Sequence, residues 1–584
     1  MQFTNVTISS EAAHFISNLS LRKCGYDVVN QSISSASGIA DFFSCQEEFN
    51  ELAVFIADDL EHISEPDRKE YGDFQTNLVL AHRVANLLKA EGGSPTVLLE
   101  PTFGKGNFIL AALMAFPCLQ RVIGFEIYQP YIWETKLTIL DFFLNNPNCT
   151  KPLITLYHQD VFTVDFQKLG KELVDSEVLI LGNPPWVTNA ELGSLLSDNL
   201  PKKSNFKNLN GIDAMTGKGN FDIGEYITIR LLRAFQKHSG QIAFLVKNAV
   251  VKNIVFDQKK AVFPIGDLKQ ISIDAKKEFG ASVEASLFKC QLNQVPEFQC
   301  DVTFLEPENK AQLRFGWENG HFVSNVKNYQ AISHLDGICP FEWRQGVKHD
   351  CSGVMEFERI NGHFSTNSGQ IFQLENDLVH GILKSSELKG GAVTFSKKST
   401  IVTQRKVGQD TAYIELLFPN TFAYLAAHRE KFAERKSSIY RGKPPFSIFG
   451  IGDYSFLPYK VGVSGLYKLP SFTLVMPENG KPMMLDDTCY FIGFEKISDA
   501  GIAFSLLNSP LVKELLSAIS FPDAKRVFTK EILMRIDLAI VAESVEFAEI
   551  EKILENVGFC GIVTKSDFHD FRQGIQTTGQ LQLF

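Results

Sequence analysis

The chain has 584 residues, 45% hydrophobic and 21% charged, which is too long for one ordinary core and fits a globular protein of two or three domains. A formal net charge of −10 argues against a simple nucleic-acid coat while leaving room for a local basic patch. No apolar run reaches the length of a membrane span, the first residues lack the basic and apolar parts of a signal peptide, and the ten cysteines are scattered without a CxxC pair or zinc spacing, so a cytoplasmic, reduced, metal-free protein with no membrane contact is expected.

Residues 1–65 show helical apolar spacing, as in Phe43, Phe49, Leu52, Phe55, Ile56 and Leu60, but no chemical motif. They are expected to form a helical cap or a partner-binding extension. Next comes Glu70-Tyr71-Gly72-Asp73-Phe74-Gln75-Thr76-Asn77, followed by Leu78, Leu80, Ala81, Val84, Leu87 and Leu88 at helical spacing. Thr76 or Asn77 can cap that helix, and its N-terminus would favour a carboxylate.

Thr96 to Glu100 reads as a short buried strand entering the turn Pro101-Thr102-Phe103-Gly104-Lys105-Gly106, with a helix from Phe108 to Ala115. Glycines in such a turn let backbone approach a ligand closely. Ile109 stands where a dinucleotide fingerprint has its third Gly, and no Ser or Thr follows Lys105 as a phosphate loop requires, so neither reading is favoured. The strand Arg121–Ile127 contains Glu126 near its end, at a distance suited to two ribose hydroxyls, because a carboxylate can accept from both. A third strand, from Thr155 to Phe162, contains Asp160.

Val178-Leu179-Ile180-Leu181-Gly182 is a buried strand of parallel-sheet type, and it runs into Asn183-Pro184-Pro185-Trp186. Two prolines end the ladder and stiffen the backbone, so an amide side chain, a fixed carbonyl and an aromatic ring are held together at a strand's carboxyl end. Open α/β folds bind ligands there. A polar stretch over 187–220 suits a loop beside a site, Asp222-Ile223 opens a helix, and Ile242–Val246 is a further strand.

Asn-Pro-Pro-Trp resembles motif IV of the amino-methyltransferases, which methylate an exocyclic nitrogen of adenine or cytosine with S-adenosylmethionine. The earlier stretches resemble that family's motif X, with Asn77 where Pro is usual, and its motifs I to III. Lys276 to Phe288 is similar to the motif VIII hairpin. The order of motifs, over roughly 70–295, resembles the gamma class of DNA adenine-N6 methyltransferases of restriction–modification systems. The resemblance implies S-adenosylmethionine held by Phe74, Thr76, Glu100, Thr102, Gly104, Gly106, Phe108, Glu126, Asp160, Phe162 and Asn183. It implies catalysis by Asn183, Pro184, Pro185 and Trp186, with Trp186 and Phe279 stacking on opposite faces of a flipped-out adenine. Asp160 would accept from the cofactor's adenine amino group, although Val161 precedes Phe162 where the family often has Phe.

The implied fold is α/β: a Rossmann-like methyltransferase domain with a mixed, mostly parallel sheet, plus an α+β C-terminal target-recognition domain. The expected boundaries are a helical extension over 1–65, a catalytic domain over 66–300, a recognition domain over 301–545 and a peripheral tail over 546–584. Between Lys397 and Lys468 there are twelve Lys and Arg against five Asp and Glu. Arg405, Lys406, Arg435, Arg441 and Lys443 are the expected contacts to double-stranded DNA. A restriction endonuclease or defence subunit, if there is one, is expected on a separate chain. Cytosine N4, RNA or a protein glutamine as acceptor, and a catalytically idle DNA-binding subunit, stand as alternatives.

Overall fold

The computed structural model describes residues 9–21, 25–57, 74–188, 222–305, 313–360, 363–365 and 371–581. Residues 70–73, Leu60 and nearly all of the polar stretch 187–220 lie outside them. The chain forms two compact units, Met1–Phe322 and Val323–Phe584.

The first unit is organised on strands β1 (Val97–Glu100), β2 (Arg121–Glu126), β3 (Leu153–His158), β4 (Val178–Gly182), β5 (Gly240–Lys247), β6 (Ile265–Ile273), β7 (Ala285–Leu292), β8 (Gln299–Phe304), β9 (Leu313–Glu318) and β10 (His321–Val323). Their spatial order is β10-β9-β8-β6-β7-β5-β4-β1-β2-β3. The run β3-β2-β1-β4-β5 is parallel, and β7 is antiparallel to both β5 and β6. Because β8 and β9 continue this sheet past residue 300, the division between units falls at Phe322 rather than at the expected boundary.

Every residue of β1 and β4 is buried, as their unbroken apolar sequences require of strands covered on both faces. The sheet is dressed by helices α4 (Leu78–Ala90), α5 (Asn107–Ala115), α6 (Gln129–Asn145), α7 (Phe166–Glu172), α8 (Ile223–Phe235) and α9 (Asn248–Ala261). A short helix α10 (Ala275–Phe279) interrupts the β6–β7 hairpin. Strand order reverses between β1 and β4, which opens a crevice at their carboxyl ends.

The N-terminal helices α1 (Ser10–Leu21), α2 (Tyr26–Ser37) and α3 (Gln46–Ala57) act as a cap on this sheet. Ala12, Ile16, Val29, Ile33, Phe42 and Phe43 are buried in the same core as Trp133 of α6. Between α2 and α3, Ala40 donates to the Ile154 carbonyl at 2.8 Å, and Ile154 donates to Gly38 at 2.8 Å. That bridge occupies part of the edge of β3, which would otherwise present unpaired backbone. Lys136 of α6 closes the join by donating to the Phe42 carbonyl at 2.7 Å, and burial lowers its ammonium to about 8.

The second unit is α+β, with a five-stranded and a six-stranded sheet among the described residues. The helices Ile497–Leu507 and Pro510–Ile519 are embedded in its main core, and among the described residues no single helix is long and apolar enough to cross a membrane. The stretch expected as a peripheral tail from 546 is largely part of that core. Ile550, Leu554, Val563, Phe568, Phe571 and Ile575 are all buried there, on the helices Phe547–Glu555 and Lys565–Leu581 and the turn between them. Its mixed charge masks an amphipathic pattern that supplies one apolar face.

Candidate active site

A cleft enclosing about 1010 Å³ of non-protein space, part of it open to solvent, lies at the carboxyl ends of β1, β2 and β4. Phe74, Thr76, Glu100, Thr102, Gly104, Phe108, Glu126, Asp160, Phe162, Asn183 and Pro185 line it, so most of the residues expected from the sequence converge in one place. Gly106, Pro184, Trp186 and Phe279 do not line it.

Among the described residues, three lining side chains carry a buried polar atom that finds no hydrogen-bond partner: Glu100 Oε2, Thr102 Oγ1 and Asn183 Oδ1. A buried acceptor left unmade costs about 1–3 kcal/mol, so three around one cavity mark a place built to be filled. Burial, reinforced by the nearby Glu126 carboxylate and only partly offset by the Ile109 N–H, pushes the Glu100 carboxyl well above the ordinary carboxylate range. A cationic ligand group would restore its charge.

Glu126 is oriented by backbone. It accepts from Gly104 N at 2.9 Å through Oε2, and from Ile127 N and Tyr128 N at 2.9 and 2.8 Å through Oε1. Asp160 accepts from Phe162 N at 2.8 Å, a turn that presents the Phe162 ring to the cleft and packs it edge-on against Tyr226.

The two glycines differ. Gly104 has φ +52°, and a Cβ there would lie 2.4 Å from the Gln75 amide at the cleft wall. Gly106 has φ +72°, and a Cβ there would meet Thr135 of α6 at 2.3 Å. The space its missing side chain leaves is taken by α6, and Gly106 does not line the cleft.

Asn183 follows β4 directly. Its Nδ2 donates to the Phe74 carbonyl at 2.6 Å and to Thr76 Oγ1 at 3.2 Å. Since a backbone carbonyl can only accept, this pair fixes which end of the amide is nitrogen. The unpartnered Oδ1 is therefore the end left for a donor.

Trp186 is only 4% exposed, and its indole N–H donates to the Leu245 carbonyl at 3.1 Å. Its ring contacts Phe279 at 5.0 Å with a 66° tilt and Phe74 at 5.3 Å with a 36° tilt. A base between two parallel rings would need about 7 Å, twice the aromatic contact distance. The expected sandwich of Trp186 and Phe279 is thus not formed in this state; the two rings touch each other instead.

Sequence reasoning missed several residues of the cleft. Gln75 accepts from Lys105 N at 3.0 Å, Asn107 donates to the Thr76 carbonyl at 2.8 Å, and Tyr128 and Tyr131 form part of the lining. Gln75 and Asn107 adjoin motif residues and Tyr128 lies two positions after Glu126, which is the available signal; Tyr131, on α6, has none.

In the second unit, Arg405, Lys406, Arg441 and Lys443 are exposed. Arg435 is not available in the same way. Its guanidinium lies 3.6 Å from the Tyr440 ring centre and donates to the carbonyls of Ser447, Phe432 and His349 at 2.7, 3.1 and 3.3 Å. Those bonds tie the arginine into its own unit, unlike the four exposed cations.

No protein-family model matches the chain. It is 37% identical over 484 residues to the type II methyltransferase M.NspV of a Nostoc species, covering 82% of this chain and 99% of that protein. Among solved structures it is similar in fold to the type IIL restriction–modification enzyme MmeI, solved in complex with DNA. That likeness has a TM-score of 0.51 at 12% identity, over 91% of this chain and 81% of that one.

Proposed function

The chain belongs to the type II methyltransferase family, and from that premise we propose that it methylates N6 of adenine at a specific site in duplex DNA within a restriction–modification system. Its methyl donor is S-adenosylmethionine, which supplies an activated sulfonium methyl when bound. The residues of the cleft suit that molecule. Glu100 and Thr102 would offer unpartnered oxygens to its amino-acid end, Glu126 a carboxylate able to accept from two ribose hydroxyls, and Asp160 with Phe162 an acceptor and a ring for its adenine.

The observation that carries the acceptor side is the orphaned Oδ1 of Asn183 next to a Pro-Pro backbone. An exocyclic amino nitrogen is a poor nucleophile because its lone pair is spread into the ring. If Asn183 Oδ1 and the Pro184 carbonyl accept its two N–H groups, the nitrogen is drawn towards tetrahedral geometry and the lone pair is localised. Positive charge develops on that nitrogen during transfer, so both contacts strengthen towards the transition state and raise the rate rather than only tightening binding. The remaining contribution is alignment of the nitrogen with the methyl group.

The target adenine is stacked and paired in duplex DNA, so it must leave the helix at a cost of a few kcal/mol. Stacking on Trp186 offsets part of that cost once the ring of Phe279 or Phe74 yields the face it covers.

The test is single-molecule sequencing of DNA from cells expressing the wild type or Asn183→Ala. N6-methyladenine at one motif is expected with the wild type alone. In purified enzyme, Asn183→Ala should lower kcat by about a hundredfold or more while retaining cofactor binding. N4-methylcytosine would keep the mechanism and change the base. Undiminished methylation by Asn183→Ala would remove Asn183 from the mechanism, and unmarked DNA from folded, cofactor-binding wild type would move the activity to RNA or protein.

A further inference from the structure

The segment 74–77 faces two places at once. On one side Phe74, Gln75 and Thr76 line the cleft, with Gln75 bonded to Lys105 N and the Thr76 carbonyl to Asn107. On the other side the Phe74 ring contacts both Trp186 and Phe279, the latter at 6.4 Å edge-on.

Asn77 ends the segment with a side chain that works in both directions. Its Oδ1 caps α4 by accepting from Leu80 N at 2.8 Å, and its Nδ2 donates to Glu278 Oε2 at 2.9 Å. The other Glu278 oxygen meets Arg83 of α4 at 3.3 Å. Glu278 immediately precedes Phe279 in α10, which is closed at both ends. Asp274 accepts from Lys277 N at 3.0 Å, and Gly280, at φ +66°, donates to Lys276 at 3.0 Å. A doubly capped turn moves as a unit, so what holds Glu278 also holds Phe279.

We propose that Asn77 and Glu278 couple the cofactor cleft to the aromatic site of the target base, so that a ligand in the cleft stiffens α10 and fixes the position of Phe279. This rests on the cofactor reading given above. Glu278 acts here as a positioning residue, through Phe279, and not on the reacting atoms. Coupling of this kind is a property of two sites measured together, so the test must change one and read the other.

Amide hydrogen exchange of the full chain, with and without S-adenosylhomocysteine, reads both sites without any turnover. In the wild type the ligand should slow exchange over 100–108 and 124–128, and also over 274–281 by about fivefold or more. Glu278→Ala, and Asn77→Asp, which keeps the helix cap but loses the donor to Glu278, should keep the first effect and lose the second. Glu278→Gln can still accept from Asn77 and should restore it. A merely structural role would speed exchange over 274–281 equally with and without ligand. An unresponsive 274–281 in the wild type, or a full response in Glu278→Ala, overturns the coupling. Absence of protection over 100–128 in the wild type would instead bring down the cofactor reading and the coupling with it.

Discussion

Glu100 is pulled in two directions. Its side chain is 2% exposed, one oxygen has no partner among the described residues, and burial with the nearby Glu126 holds the carboxyl above its ordinary range. The folded protein therefore binds a proton that the unfolded chain gives up from the ordinary carboxylate range upward. Stability falls as pH rises through the window between those two values. Glu100→Gln removes that titration and keeps the shape. The variant should be more stable than wild type at neutral pH and show a flatter dependence of its urea midpoint on pH above about 5, where a free Glu is already largely ionised. If Glu100 meets the cofactor's amino-acid end, as proposed, the same change removes an acceptor that a cationic group would charge, so the affinity for S-adenosylhomocysteine should fall about tenfold or more. Calorimetric titration beside urea unfolding checks both. A variant as pH-dependent as wild type would show that Glu100 does not carry the slope, and unchanged affinity would take it out of the ligand site.

At the level of elements, the N-terminal helices supply part of the catalytic unit's core. Phe43 is 1% exposed and packs edge-on against Phe42 at 4.9 Å and Phe49 at 5.3 Å, with Trp133 of α6 at 5.7 Å. Phe43→Ala should cost about 3–5 kcal/mol, seen as a lower urea midpoint, with little effect on cofactor affinity per folded molecule. A loss below about 1 kcal/mol would mean the helices only rest on the sheet. The sequence left this extension open between a helical cap and a partner-binding arm, because apolar spacing shows that a face is buried and not what buries it. The strand ends were legible for the opposite reason. Glu100, Glu126, Asp160 and Asn183 each end or follow a short apolar strand, and parallel topology brings consecutive strand ends to one crevice. What depended on distant chain was missed or misread. Asn77 and Glu278 are separated by 201 positions, Gly106 faces a helix that begins only at Gln129, and the C-terminal helices reveal their buried face only when packed.

Across the whole molecule, an acidic protein that is to hold DNA, as proposed, has to gather its exposed cations. The excess of Lys and Arg between residues 397 and 468 overstates the supply. Lys460 is fully buried, donates to the Leu457 carbonyl at 2.7 Å and is lowered to about 7 by burial, while Arg435 is bonded to three carbonyls of its own unit. Arg405, Lys406, Arg441 and Lys443 remain exposed on two segments that are pinned together. Thr403 donates to the Phe446 carbonyl at 2.8 Å, Thr411 to Pro445 at 2.6 Å, and Ile448 N to Gln404 at 2.9 Å. Thr403, Gln404 and Thr411 are themselves buried, so the four cations project from a fixed base. If they meet phosphates, each releases condensed counterions on binding. The logarithm of DNA affinity against the logarithm of salt should then lose about 0.9 of slope for each contact removed. Arg441→Ala and Lys443→Ala should each flatten the slope by about that amount, on specific and unrelated duplexes alike, because a phosphate carries no sequence. Arg435→Ala should instead lower stability and leave the slope of the folded fraction unchanged. Fluorescence anisotropy over a salt series separates the two behaviours: an unaltered slope in both Arg441→Ala and Lys443→Ala would place the phosphate contacts elsewhere, and a flattened slope in Arg435→Ala would return that arginine to the interface.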